Sequence, residues 1–445
     1  MAFSTDQQTL NDLSIFGKHG QPSIFDLFNR CATIGGAAVL EDMFRHPLSD
    51  EVQILHRSGV IRYFAEQAEE FPFRGSYFDE AEHYLANRDE RTRLSGREPS
   101  LAGKMAGMLA PDATEKQLLH AVQELIRLLR EVSAFVAKIN LSELHSYQAD
   151  LATIREVLDM PVFREILGAK EKLSTDALAG FDNVLRFRYR NEVRRLLQRL
   201  YEMDAFISVG KAATELGFKF PDVRSGGDFS MQLDGVFHPL VKNAIPNNVK
   251  MTESGNIIFL TGANMAGKST FMKSLGTALY LAHLGFPVPA RSMAFNVMDG
   301  LFTTINLPDN LGMGASHFYA EVLRVKKMVQ EVNSGKRLFI VFDELFRGTN
   351  VKDAYGTITV AGGFARRKKS LFVISTHIVE AGEVLKETCP DMQFLFLPTY
   401  MNGTHPVYTY KLEPGITDDR HGMVIINNEG ILELLAAGLH KKTSV

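Results

Sequence analysis

One octapeptide limits this 445-residue chain more than any other feature: Gly262-Ala263-Asn264-Met265-Ala266-Gly267-Lys268-Ser269, followed by Thr270. It has the spacing G-x-x-x-x-G-K-[ST], directly after the apolar run 257–260 and directly before an amphipathic segment. A strand that enters a glycine-rich turn and leaves it as a helix aims successive backbone N–H groups at one point, where the helix N-terminus adds partial positive charge. Such a nest fits the phosphates of a nucleotide. Within it Lys268 is expected to reach the β- and γ-phosphates and the Ser269 hydroxyl to ligate Mg²⁺. A strand-to-helix turn without ligand is the competing reading, and the lysine and serine at these offsets weigh against it.

Further along, an apolar strand at 338–342 ends in two carboxylates, Asp343 and Glu344. In a parallel sheet its C-terminal end opens beside the phosphate loop. Asp343 is then expected to hold Mg²⁺ and Glu344 to act as general base on an attacking water. An acidic helix cap is the alternative for the pair. A third strand, expected at 371–375, ends in Thr376-His377, and a histidine at that level can sense a γ-phosphate or serve structure alone.

Around this site the chain reads as two kinds of structure. From about residue 23 to 217 apolar residues recur at helical spacing, most clearly as Leu118, Val122, Leu125, Ile126, Leu129, Val132 and Val136. A second long helix is expected from about 177 to 215, a stretch without proline. Beyond Pro221 and Ser225-Gly226-Gly227, short apolar runs alternate with amphipathic segments, as in a parallel sheet covered by helices. Strands are expected at 256–260, 301–305, 338–342, 371–375, 393–397 and 407–412, with helices at 268–284, 316–331, 353–366, 378–386 and 431–439. The fold class is α + α/β: an N-terminal extension at 1–22, an all-helical domain at 23–224, and a P-loop α/β domain at 225–445.

Composition excludes several classes. With 49 basic and 52 acidic residues the net charge is −3, so no polybasic field dominates. The two cysteines, Cys31 and Cys389, lie far apart without histidine or cysteine neighbours at metal-ligand spacing, which excludes a disulfide framework or zinc module. No basic leader precedes an apolar run and no run is long enough to span a membrane, so a cytoplasmic setting is expected.

Taken together, these motifs resemble the MutS family of mismatch-repair ATPases. TGANMAGKST is similar to that family's TGPNMGGKST, FDELFRGTN to its DELGRGTS, and STH to its ATH. Gly285-Phe-Pro-Val-Pro289-Ala290 resembles its G-x-x-V-P-A, and Phe237-His238-Pro239-Leu240-Val241 its R-H-P-x-V. In the helical half, Ser23-Ile-Phe-Asp-Leu-Phe-Asn29-Arg30 through Gly35 and Leu200-Tyr-Glu-Met-Asp204 resemble the start and end of its core, or lever, domain. The resemblance spans about residues 20 to 435.

It implies a P-loop (ABC-like) ATPase that binds and hydrolyses ATP with Mg²⁺ at a homodimer interface, coupled to DNA and to other repair proteins. Catalysis falls to Lys268, Glu344 and His377, nucleotide binding to residues 262–270, and metal binding to Ser269 and Asp343. Ser316, in the loop from Asp309 to Phe318, resembles the serine that completes the partner's nucleotide site, and it also suits a helix N-cap. Mismatch readers of this family carry an aromatic wedge and a glutamate in domains ahead of the core. Phe64-Ala-Glu66 has that spelling but falls in a helical core segment, where packing is expected. For phosphate-backbone contact the arginine cluster holding Arg188, Arg195 and Arg199 is one candidate and Arg88, Arg91, Arg93 and Arg97 another; ion pairs with neighbouring helices are the alternative. A nucleotide-gated scaffold for protein or RNA is the other reading of the whole.

Overall fold

The computed structural model describes residues 2–17, 20–68, 70–94, 113–138, 147–170, 172–305, 317–346, 354–376, 379–402, 405–417, 430–431 and 434–435. Its helices are α1 (Gln7–Asp12), α2 (Ile24–Phe28), α3 (Ile34–Arg45), α4 (Glu51–Gln67), α5 (Gly75–Ala86), α6 (Ala113–Lys138), α7 (Gln148–Leu158), α8 (Pro161–Gly168), α9 (Thr175–Asp182), α10 (Arg190–Leu216), α11 (Lys268–His283), α12 (His317–Asn333), α13 (Ala354–Ala365) and α14 (Val379–Thr388). Its strands are β1 (Asp222–Val223), β2 (Ser230–Val236), β3 (Asn247–Thr252), β4 (Ile257–Gly262), β5 (Ser292–Phe295), β6 (Gly300–Thr304), β7 (Leu338–Phe342), β8 (Leu371–Ser375), β9 (Gln393–Leu397), β10 (Thr399–Asn402), β11 (His405–Tyr408) and β12 (Glu413–Pro414). The chain is therefore of mixed α and β type. It divides into two compact units, one made of Met1–Asp26, His46–Leu55 and Gly217–Val445, the other of Leu27–Arg45 and His56–Leu216.

In the first unit the apolar runs form a six-stranded sheet in the order β12-β9-β4-β8-β7-β6. The central pairs are parallel, and only β12 runs against its neighbour β9. All five residues of β7 and of β8 are buried, as strands covered on both faces require. Ile257, Phe259, Ile340, Phe342, Phe372 and Ile374 join one apolar cluster with residues of α12, α13 and α14. Their neighbours Ile258, Leu260, Phe339 and Val341 are equally buried, and α11 packs on β4, β6 and β7. Parallel order brings the C-terminal ends of β4, β8 and β7 side by side, and β8 lies between the other two.

A second sheet, β1-β5-β2-β3, was not foreseen from the sequence. Its strands are two to seven residues long and mostly polar in alternation, a weaker signal than the fully apolar runs. Of the run expected at 407–412 only 407–408 are strand, the end of β11; Tyr410 takes a left-handed φ of 54°, which breaks extended geometry, and β12 starts at Glu413.

Among its described residues the second unit is helical. The stripe from Leu118 to Val136 on α6 is buried throughout. Phe64 is buried too, its ring 5.7 Å from that of Tyr147, so the F-x-E triplet is packing. The expected helix from 177 to 215 is interrupted: α9 passes into a π turn, Asn183–Arg188, and Tyr189 leaves helical geometry before α10 starts. A buried ion pair lies at the interruption, with the Arg186 guanidinium 2.7 Å from Asp182 and both side chains fully enclosed. The wider turn accommodates Arg186 as it also donates to Thr92 Oγ1 and Thr92 O, both at 2.9 Å.

Residues 1–22, read from the sequence as an extension, pack into the α/β unit: Leu13 and Ile15 are fully buried, and Ser4 bridges to Gly300 in parallel. The division between units falls at residue 217 rather than 225. Gly217 (φ 67°) ends α10, and Lys219 already bridges to Val288 of the α/β unit.

Candidate nucleotide site

β4 delivers the glycine-rich turn and α11 begins inside it at Lys268. Two glycines are required by geometry. Gly262 has φ 144° and a Cβ there would sit 3.1 Å from Leu397 O; Gly267 has φ 99° and a Cβ would meet the Tyr410 ring at 3.0 Å. Met265, also left-handed at φ 71°, is 78% exposed, while Ala266 is buried and donates its N–H to Ala263 O at 3.2 Å. Lys268 is buried, with Nζ donating to Gly262 O at 2.6 Å and to Ala263 O at 3.1 Å. Burial holds its ammonium below the ordinary lysine range, against the pull of Glu344 and Asp343. The proximity of those two carboxylates, 75 residues away in sequence, follows from strand order alone.

Across the turn, the Ser269 hydroxyl donates to Asp343 Oδ2. Asp343 Oδ1 accepts from Ser375 Oγ at 2.6 Å, and the same Ser375 oxygen accepts the Glu344 N–H at 2.8 Å. The Asp343 N–H donates to Thr304 O on β6 at 2.9 Å. Glu344 itself takes a left-handed φ of 55°, a strained conformation for a glutamate that turns the chain sharply after β7. Carboxylate, hydroxyl and loop thus converge above the ends of three strands.

The cavity over the loop encloses about 610 Å³. Ala263, Asn264, Met265, Gly267, Lys268, Ser269, Thr270 and Glu344 line one side. His238, residues 241–245, Asn247 and Tyr410 line the other. Asn247 fixes the Tyr410 turn, donating to Tyr410 O at 2.9 Å and accepting from Leu412 N at 2.8 Å. His238 is buried and accepts from the Leu240 N–H at 3.3 Å; burial and the nearby Lys273 push its pKa down to about 4, so the ring is neutral at pH 7. The volume and the mixed polar and apolar lining suit a nucleotide. The donor set suits Mg²⁺, which takes one or two protein oxygens and completes an octahedron with phosphate and water.

Ser375, Asn247 and Tyr410 were missed by sequence reasoning. Ser375 is the first residue of the STH string, where attention fell on the histidine; Tyr410 directly precedes Lys411-Leu-Glu-Pro-Gly415. Neither has a side-chain type that signals nucleotide binding on its own. His377 and Ser316 lie outside the described residues.

The described arginine candidates lie in the helical unit, and Arg97 lies outside the described residues. Arg199 pairs with Asp150 at 2.9 Å and Glu202 at 2.6 Å, and Arg195 stands 3.8 Å from Glu156. Arg188, in the π turn, places its guanidinium 5.3 Å from the centre of the Tyr189 ring. The three do not share one regular helix face, and Arg195 and Arg199 stand within ion-pair distance of carboxylates.

Fold and site together define the class: an α+β protein whose glycine-rich strand-to-helix turn faces a carboxylate pair, a candidate phosphate-binding site. Residues 258–438 match the family model MutS domain V. The chain is 27% identical over 343 residues to the DNA mismatch repair protein MutS of Persephonella marina, covering 71% of this chain and 39% of that protein. It is 28% identical over 281 residues to the protein of the same description from Desulfitobacterium hafniense, covering 60% and 32% respectively. Residues 258–438 are thus similar to MutS domain V, and the chain is similar to these MutS proteins over 60–71% of its length. It spans between about a third and two fifths of the length of these relatives.

Proposed function

We propose that the chain is a MutS-type ATPase: a P-loop, ABC-like α/β domain that binds and hydrolyses ATP with Mg²⁺, joined to a helical core, or lever, domain and coupled to DNA in mismatch repair or related DNA metabolism. The observation that carries this reading is the contact of Ser269 with Asp343 directly above the phosphate loop. The helical domain is read as the unit of Leu27–Arg45 and His56–Leu216, and the ATPase domain as the unit of Met1–Asp26, His46–Leu55 and Gly217–Val445.

In this reading the N–H groups of residues 263–270 cradle the phosphates, and Lys268 Nζ exchanges its two loop carbonyls for β- and γ-phosphate oxygens. Ser269 and Asp343 hold Mg²⁺, which when bound neutralises charge shared by the β- and γ-phosphates. Glu344 takes a proton from water as the water oxygen bonds to the γ-phosphorus and the bridging oxygen leaves with ADP. His377 senses the γ-phosphate. Tyr410, opposite the loop, offers its ring to the base. Exposed apolar side chains, Met265 in the loop, Tyr319 and Leu323 on α12 and Tyr355 on α13, support a homodimer in which Ser316 completes the partner's site.

Of the arginines, Arg188 is carried forward as a phosphate-backbone contact. The pairing of Arg195 and Arg199 with carboxylates favours a second reading, a nucleotide-gated scaffold for protein or RNA. The deciding experiment measures ATP turnover by wild type, Glu344→Gln and Lys268→Ala, then DNA binding against salt on homoduplex, mismatched and branched duplexes. Glu344→Gln is expected to bind ATP and turn over slowly, and Lys268→Ala to lose affinity. Equal turnover in Glu344→Gln and wild type removes the base assignment, and no salt-dependent DNA binding leaves the scaffold reading.

A further inference from the structure

The N-terminal segment, residues 3–15, converges on the end of β6, the strand beside β7. We propose that this segment positions the acidic end of β7 for turnover, with Asp6 and Asp12 as its positioning residues. The inference rests on the ATPase reading above and deepens it.

The connection runs from Asp6, Thr9 and Asp12 through the end of β6 to Asp343. Asp12 Oδ2 accepts from Thr303 Oγ1 at 2.7 Å and from the Ile305 N–H at 2.9 Å. Thr9 Oγ1 accepts the Thr303 N–H at 3.0 Å. Between these anchored positions Thr304 O accepts the Asp343 N–H at 2.9 Å. Arg324 of α12 closes the arrangement, donating to Thr303 O at 2.8 Å and to Thr304 Oγ1 at 3.3 Å. Asp6 in turn holds Arg324 through both carboxylate oxygens and takes Lys327 Nζ at 3.0 Å.

Position in the sheet gives these contacts their consequence. β6 is the edge strand, with β7 on one side only. The last residues of an edge strand have no ladder partner on the outer side, so they fix a neighbour only as well as they are themselves fixed. Here the outer side is supplied by the N-terminal segment. Ser4 exchanges hydrogen bonds with the backbone of Asp299 and Leu301, at 2.8 and 2.9 Å. The segment is held down by Leu13, fully buried against Gly276, where a Cβ would approach to 2.8 Å. A carboxylate that must meet a metal to within a few tenths of an ångström depends on such outer contacts, and their loss typically costs about 10–100-fold.

The test compares wild type with Asp12→Ala, the milder Asp12→Asn, Asp6→Asn and the charge exchange Asp6→Arg/Arg324→Asp. It reads kcat, the Mg²⁺ concentration giving half-maximal turnover, affinity for a fluorescent ATP analogue, and the melting midpoint. In the Asp12 variants and Asp6→Asn, kcat is expected to fall about 10–100-fold and the Mg²⁺ requirement to rise. Analogue affinity should stay within about twofold, because the loop is untouched. The charge exchange should recover part of the loss seen in Asp6→Asn. Turnover unchanged in Asp12→Ala, or falling only in proportion to the folded fraction, overturns the inference alone. A wild type without turnover overturns the ATPase reading and this inference with it.

Discussion

Ser375 Oγ donates to Asp343 Oδ1 at 2.6 Å, and Ser375 sits on β8, the strand that separates β7 from β4, which leads into the glycine-rich turn. The hydroxyl is fully buried and its oxygen also accepts the Glu344 N–H at 2.8 Å, so one side chain sets the direction of both acids. Removing it leaves Asp343 Oδ1 without that donor and the Glu344 N–H without that acceptor. Ser375→Ala is expected to lower kcat about 10–100-fold and to raise the Mg²⁺ needed for half-maximal turnover. A Mg²⁺ titration of ATP hydrolysis checks it, and an unchanged midpoint with unchanged kcat would sink it.

Gly267 tests the loop by a different route. Its φ of 99° is costly for any residue with a Cβ, and the added methyl would press on the Tyr410 ring. Gly267→Ala is expected to distort the turn at a cost of about 1–3 kcal/mol. Each ~1.4 kcal/mol of that cost lost from binding is tenfold in affinity. Gly363, in the last turn of α13, is the control: nothing lies within 4 Å of its Cβ position and its φ is not positive. Gly363→Ala is expected to leave analogue affinity unchanged and to stabilise by about 0.5–1 kcal/mol. Equilibrium titration and urea unfolding of both variants distinguish a loop effect from a general one.

Much of this arrangement could be read before any coordinates. The strands at 338–342 and 371–375 were legible because five and four consecutive apolar residues, respectively, bounded by polar ones have few other uses. The glycine-rich strand-to-helix turn at 262–269 was legible because glycines between an apolar run and an amphipathic segment answer a geometric need. What stayed hidden depended on neighbours remote in sequence. Asp343 meets Ser375 only because β8 inserts between β4 and β7, and no local pattern announces strand order. The π turn at Asn183–Arg188 follows from a buried ion pair and from Thr92, a partner 94 residues away from Arg186. Likewise residues 1–22 looked detached because their apolar side chains are few, yet Leu13 and Ile15 find complete burial.

His283 gives a prediction with a definite sign. It is fully enclosed at the end of α11; Nε2 accepts the Met298 N–H at 3.0 Å, so the proton lies on Nδ1, facing Leu279 O at 3.0 Å. Burial pushes its pKa down to about 4, against an ordinary value near 6.5. Between those values the unfolded chain binds the proton and the folded one does not, so stability is complete above about pH 6.5 and falls as pH drops toward 4. The gap corresponds to roughly 3 kcal/mol at most. Urea unfolding between pH 7.5 and 4.5 checks the trend. The ring carbon proton shift should keep its neutral value in the folded protein at pH 5.5, and a midpoint near 6.5 in that titration would remove the argument.

The Arg186–Asp182 pair makes the strongest stability prediction in the helical unit. Both side chains are at zero exposure, and their partners account for the geometry of the π turn. Asp182 accepts the Tyr84 hydroxyl at 2.7 Å and the Leu94 N–H at 3.2 Å; Arg186 donates twice to Thr92. Asp182→Ala strands a buried guanidinium and is expected to cost about 3–5 kcal/mol in urea unfolding. Replacing both charges with apolar residues, Asp182→Leu with Arg186→Met, removes that stranded charge, and such replacements are often close to neutral elsewhere. Here recovery should be incomplete, because Thr92 O and the Leu94 N–H each lose a partner, at about 1–3 kcal/mol for every group left buried and unpaired. Amide hydrogen exchange at Leu94 should therefore speed up in the double variant even where global stability returns. Protection equal to wild type at Leu94 would mean that Asp182 does not hold this turn.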